Sequence, residues 1–263
     1  MSQSQGLSQR ITQLGTDGRQ LIDDSCISEK TLNDAMDEII PYATSKIAEL
    51  GGTVKHLKKM SLYDCQLCFQ RIGGPVPNES NKNVFMKPDG GILVAEIYGK
   101  NIPILIVEDK VQGTNDLLFA QGKKRQATGN AIERGAKNIR GAEMLCVEYD
   151  FFPYVLFASG CDFHYTETIS KRIEMMNMGY PNHSIYIETG MTTEDISRQV
   201  EETLLPRINI QKQCGHSIAS VFVKSHKWNE LPHGTSLWSK PDIVKICRRV
   251  IDIAVCLLDK YRI

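Results

Sequence analysis

Lys87-Pro88-Asp89-Gly90-Gly91-Ile92-Leu93-Val94-Ala95, followed by Ile102-Pro103-Ile104-Leu105-Ile106-Val107-Glu108-Asp109-Lys110, decides how this chain is read. The order is carboxylate, apolar strand, turn, apolar strand, carboxylate-x-lysine. Gly99-Lys100-Asn101 stands between the two apolar stretches as a hairpin turn. Residues two apart on a strand share a face, so Glu108 and Lys110 project together while Asp109 points away. Asp89, just before the first strand, can then meet Glu108 across one strand pair. Metal-dependent phosphodiester cleavage needs such a set. Two carboxylates hold a hard divalent cation through oxygen, and an ammonium stabilises the developing charge or helps activate the attacking water. Asp89 as a turn residue and Glu108 with Lys110 as a solvated strand end are the alternative, and the pattern alone leaves both open.

The chain has 263 residues, enough for one large α/β domain or two small ones. Its 31 basic and 31 acidic residues balance, so bulk charge gives no hint of nucleic acid and any such surface must be local. Lys55/Lys58/Lys59 and Lys123-Lys124-Arg125 are short basic clusters, each also readable as a solvated face. No stretch reaches the roughly 18 apolar residues of a membrane span, and Met1 to Arg19 lacks a signal-peptide core. A cytoplasmic location is the simplest expectation. Eight scattered cysteines are expected as thiols. Cys65-x-x-Cys68 is one pair only, and packing on one helix face explains it better than a four-ligand zinc site.

The pattern predicts a mobile arm over residues 1–25 and one domain over 26–263. Leu32, Ala35, Met36, Ile39 and Ile40 recur at helical spacing, with Pro41 expected to break or kink that helix. A second helix is expected over 62–72, a long one from Gly129 to about Val147, and others over 166–178 and 193–206. Strands are expected at 92–95, 102–107, 153–158, 184–187 and 217–223. A last helix opens with Ser239 as N-cap and Pro241 in its first turn, with Ile243, Ile246, Cys247, Val250, Ala254 and Leu257 on its apolar face. The fold class is α/β: a single domain with a central mixed five-stranded sheet flanked by helices.

A second motif is Gly129-Asn130-Ala131-Ile132-Glu133-Arg134, followed by Gly135-Ala136-Lys137-Asn138-Ile139. Asn130, Glu133 and Arg134 stand at i, i+3 and i+4 and share one helical face. Asn can bond adenine N6 and N7 together, Glu can accept from an exocyclic amine, and Arg can donate to N7. An ordinary charge-laced helix is the plain alternative.

With Phe152-Pro153-Tyr154-Val155-Leu156-Phe157 and the Gln112-Gly113 after the Glu-x-Lys strand, these motifs resemble the EcoRI-type family of type II restriction endonucleases, within the PD-(D/E)xK nuclease superfamily. The resemblance covers most of residues 60–260. It implies the restriction-endonuclease-like fold and a homodimer that uses Mg2+ to cut palindromic double-stranded DNA, leaving 5′-phosphates and 5′ overhangs. It implies Asp89, Glu108 and the backbone carbonyl of Asp109 as metal ligands, with Lys110 beside the scissile phosphate. It implies base reading by Asn130, Ala131, Glu133, Arg134 and Arg172, and a phosphate contact by Lys87. A companion DNA methyltransferase would protect the host.

The chain departs from the family in places. Of two arginines spaced by three in the family's second recognition region, one is Arg172 here and the other is Ile169, with Lys171 nearby. The segment before Gly129 is shorter, a methionine that contacts a pyrimidine edge is replaced near Gln126, and the lysine after Gln-Gly is Thr114. An AATT centre is expected, within GAATTC if the outer pair is kept. A less specific repair or recombination nuclease and a non-catalytic DNA-binding protein are the rival readings.

Overall fold

The computed structural model describes residues 23–111, 138–139, 141–149, 151–160, 184–187, 219–224 and 238–262. Helix α1 (Asp23–Glu49) buries Leu32, Ala35, Met36, Ile39, Ala43 and Ile47, a stripe at three- and four-residue spacing. It runs through Pro41 instead of breaking there. Pro41 and Asp37, whose carbonyl loses its partner, both lie on the exposed face. Of the expected arm, residues 1–22 lie outside the described residues, and Asp23 to Ser25 are the first residues of α1.

Strand β1 (Thr53–Leu57) follows, then β2 (Met60–Ser61), helix α2 (Leu62–Arg71), β3 (Phe85–Met86), β4 (Gly91–Ile97) and β5 (Lys100–Val111). Next come β6 (Tyr154–Ser159), β7 (Ser184–Ile187), β8 (Ala219–Lys224) and helix α3 (Lys240–Leu258). The main sheet has the order β1-β4-β5-β6-β8-β7. Its first three strands are antiparallel and β5, β6, β8 and β7 are parallel, so the sheet is mixed and flanked by helices as expected. The five strands legible in the pattern are β4 to β8; β1 adds a sixth at the edge.

The β4–β5 hairpin turns on Tyr98-Gly99, one residue earlier than the expected Gly99-Lys100-Asn101, because Ile97 pairs with Lys100. Both loop residues have positive φ, 55° and 70°, which a tight two-residue turn of this hand requires. The ladder slips between Leu93 and Val94, which pair with Leu105 and Pro103. That irregularity is where an interior strand tolerates a proline.

The sheet separates two cores. On one face Leu105 and Val107 of β5 pack with α1 and α3. On the other, Ile106, Ile92, Tyr154 and Leu156 pack with Cys65 of α2 and with Leu145 and Cys146. Cys65 and Cys68 pack into this second core from one face of α2, as their spacing predicts. Burial pushes the Cys65 thiol up to about 12. Helix α3 opens on Ser239, whose hydroxyl accepts from the Asp242 N–H at 3.3 Å, and buries every residue of its expected apolar face. Of the long helix expected from Gly129, residues 138–139 and 141–143 are helical and Met144–Cys146 is a 3-10 turn. The helices expected over 166–178 and 193–206 lie outside the described residues. Among the described residues no helix is long and apolar enough to cross a membrane.

Candidate active site

The site begins with backbone geometry. Pro88 to Gly91 form a turn closed by the Gly91 N–H donating to Pro88 O at 2.9 Å, and Gly90 N–H donates to Val107 O at 3.0 Å. Gly91 has φ of 82°, and a Cβ there would lie 2.4 Å from His56 Nε2 and 2.9 Å from Leu57 O. A Cβ on Gly90 would lie 2.8 Å from Val107 Cβ. Both glycines are therefore required for the turn to press against β1 and β5. His56 of β1 stands 3.0 Å from Gly90 O and holds the turn from the other side.

The turn delivers Asp89 to the end of β5. Asp89 Oδ2 accepts from the Asp109 N–H at 3.1 Å, and Glu108 Oε2 accepts from the Asp89 N–H at 3.3 Å. The two carboxylates thus meet across one strand pair, as the sequence predicts. Glu108 is only 1% exposed, whereas Asp89 is 38% exposed, so one carboxylate is rooted in the core and the other opens to solvent.

Lys110 lies on the same face as Glu108. Its ammonium donates to Asp89 Oδ2 and to the backbone carbonyl of Asp109, both at 2.9 Å, and pairs closely with Glu108 Oε1. Three oxygens from three residues therefore converge on one cation. Burial raises the Glu108 pKa, and the Asp89 charge adds to this while Lys110 and Asn138 oppose it. Burial works against the Lys110 charge, but Glu108 and Asp89 outweigh it and hold that pKa above its ordinary value. Tyr154, fully buried on this face, has its pKa raised well above the ordinary value by burial and by the Glu108 and Asp89 charges.

The oxygen set fits a hard divalent cation. Asp89 Oδ2, Glu108 Oε1 and Asp109 O already surround a positive charge, and magnesium sites commonly use one or two carboxylates with water completing the shell. Among the described residues no group of three or more His, Cys, Asp or Glu could hold a metal, so the set is two carboxylates and a carbonyl.

Asp109 points to the opposite face, as alternation requires. Its Oδ2 accepts from Ser28 Oγ of α1 at 2.6 Å, 81 residues away in sequence. Its Oδ1 is buried with no hydrogen-bond partner among the described residues. The carboxyl is pushed up to about 6, chiefly by burial, with the Ser28 bond opposing.

Three contacts were not read from the sequence: His56 on Gly90, Ser28 on Asp109, and Asn138. The Asn138 amide donates to Glu108 Oε1 at 2.6 Å. Asn138 follows Asn130 and Arg134 at four-residue steps, the one local signal that marks it. Lys87 is exposed directly before the turn. Asn130, Ala131, Glu133, Arg134 and Arg172 lie outside the described residues.

The family model for restriction endonuclease EcoRI matches residues 79–260, which includes both carboxylates, the lysine and Asn138. The type II restriction enzyme EcoRI of Escherichia coli is 39% identical over 97 residues, covering 34% of this chain and 35% of that protein. The type II restriction enzyme RsrI of Cereibacter sphaeroides is 29% identical over 162 residues, covering 54% of this chain and 57% of that protein. The chain thus spans about a third of one relative's length and just over half of the other's. The matched residues extend from just before the carboxylate turn nearly to the end of the chain and take in strands β3 to β8 and helix α3; the chain belongs to the EcoRI family of restriction endonucleases.

Proposed function

We propose that this protein is a type II restriction endonuclease that hydrolyses one phosphodiester in each strand of palindromic double-stranded DNA with an AATT centre, GAATTC being the leading candidate for the full site. The observation that carries this is the convergence of Asp89 Oδ2, Glu108 Oε1 and Asp109 O on the Lys110 ammonium at the end of β5.

In this reading Asp89, Glu108 and the Asp109 carbonyl hold Mg2+. The ion's chemistry is to polarise a phosphate oxygen and lower the pKa of a bound water. Lys110 swings from the oxygen set to the scissile phosphate, where its charge favours the transition state. The buried Glu108 keeps its position because backbone and side-chain donors hold both of its oxygens. Asn130, Ala131, Glu133 and Arg134 read the inner bases from the major groove, and Arg172 contributes to the outer pair. Lys87, exposed beside the turn, contacts a phosphate. A homodimer presents two such centres, so the palindrome follows from protein symmetry. The products carry 5′-phosphates on 5′ overhangs. The enzyme acts in the cytoplasm of a prokaryotic cell alongside a DNA methyltransferase of matching specificity.

The test is digestion of a sequenced phage DNA with Mg2+, followed by sequencing of every fragment end. Ends at one palindrome containing AATT support the proposal. Random ends would move the protein to a less specific repair or recombination nuclease. Sequence-specific binding without cleavage in any metal would leave a binding protein.

A further inference from the structure

We infer that Asn138 is a positioning residue: its amide fixes the buried Glu108 carboxylate. The inference rests on the nuclease reading above and assigns a role that reading does not contain.

The contact is short and directional, 2.6 Å from Asn138 Nδ2 to Glu108 Oε1. Glu108 is 1% exposed, so water does not substitute freely for a missing donor. Two side chains donate to the same oxygen, Lys110 and Asn138, and a carboxylate oxygen has lone pairs for both. They differ in one respect. Lys110 carries a charge, occupies the point where the oxygens converge, and must leave when a divalent ion takes them. Asn138 is neutral and stays. It is therefore the side-chain donor that orients Glu108 both before and after metal entry.

Asn138 is also anchored. The next residue, Ile139, packs against the second core, and Ala142, Leu145 and Cys146 are buried in it. The segment cannot drift from the sheet without exposing that core. Partners that orient a metal ligand in this way typically change metal affinity or activity by about 10–100-fold when removed.

The experiment compares the full-length wild type with Asn138→Ala. Mn2+ alone is titrated into each protein and followed by electron paramagnetic resonance of the free ion. Cleavage is measured on a duplex carrying the site found by end sequencing. Asn138→Ala is expected to bind Mn2+ about 10–100-fold more weakly. Its kcat falls by a comparable factor with KM for DNA little changed. Should Asn138→Ala not fold, Asn138→Ser, polar but too short to reach Glu108, is held to the same outcome. Asn138→Gln, which keeps an amide donor, is expected to recover part of the loss. Mn2+ affinity and kcat within twofold of wild type would overturn the positioning role. A wild type that neither binds Mn2+ nor cuts DNA would overturn the nuclease reading itself.

Discussion

Asp109→Asn is expected to stabilise the protein at neutral pH and to leave it little changed in acid. Asp109 carries a carboxyl into the packed face of β5, where Ser28 Oγ donates to one oxygen and the other is buried without a hydrogen-bond partner among the described residues. Burial is the largest cause of its rise from an ordinary 3.8 to about 6. The folded state thus holds a proton at pH values where the unfolded chain has released it. Below about 3.8 the carboxyl is protonated in both states and costs nothing. As pH rises through the folded value the charged form must be buried, and the stability present in acid is lost. At about 1.4 kcal/mol per tenfold change, the interval from 3.8 to about 6 corresponds to about 3 kcal/mol.

The amide introduced by Asp109→Asn would keep the Ser28 contact and never ionise. The variant's advantage should therefore grow by about 3 kcal/mol across the whole window, with about half of that appearing between pH 5 and pH 7.5. Urea unfolding in metal-free buffer, followed by tryptophan fluorescence, reads it, since Trp238 is buried against Phe157 and Phe222. The diagnostic is the slope of the difference with pH, because any fixed packing change cancels. A difference independent of pH, or one that favours Asp109 more strongly as pH rises, would show that the charged carboxylate is well satisfied and would refute the reasoning.

Two further substitutions separate chemistry from scaffold. Lys110→Met removes the charge nearest the oxygen set and should lower the single-turnover cleavage rate by about 100–1000-fold, with gel-shift binding to the same duplex retained. Gly91→Ala places a Cβ 2.4 Å from His56 Nε2 at a backbone φ of 82°. It should cost at least about 1–3 kcal/mol, read as a lower urea midpoint together with lost cleavage because Asp89 moves with the turn.

Much of this was legible because strand periodicity is rigid. Once Ile102 to Val107 is read as a strand, the sharing of a face by Glu108 and Lys110 follows from alternation alone, as does the opposite aim of Asp109. The turn was legible from Asp89-Gly90-Gly91. What the pattern could not supply is contact across long sequence separation. Ser28 meets Asp109 from 81 residues away, His56 meets Gly90 from 34, and Asn138 meets Glu108 from 30. Strand β1 escaped detection because it is a short edge strand with no buried residue, so its alternation of exposed and half-buried positions carries little apolar contrast, and its lysine reads as surface charge. Pro41 did not end the helix, which continues from Asp23 to Glu49 with the proline on its exposed face.

The position of the site follows from how β5 leaves the core. Ile102 and Ile104 to Val107 are fully buried between two layers, so the strand is held on both faces as far as Val107. Glu108, Asp109 and Lys110 then come in succession where the parallel neighbour β6 still supports them, Glu108 opposite Leu156 and Lys110 opposite Ala158. Earlier in the strand a charge would be surrounded by apolar groups and would be neutralised or expelled. Beyond the sheet it would lack a fixed backbone, and a metal ligand must be held to a fraction of an ångström. The C-terminal end of a strand in the parallel half of the sheet meets both conditions: a rigid ladder beneath and an opening above. This is also where open α/β sheets commonly bind their ligands. Lys110 bears on the balance, because burial and the Asp89 charge both favour the protonated form of Glu108, a poor metal ligand, and the Lys110 charge opposes them. The lysine two residues on therefore serves the metal-free centre by pairing with both carboxylates, which gives a physical reason for the carboxylate-x-lysine spacing.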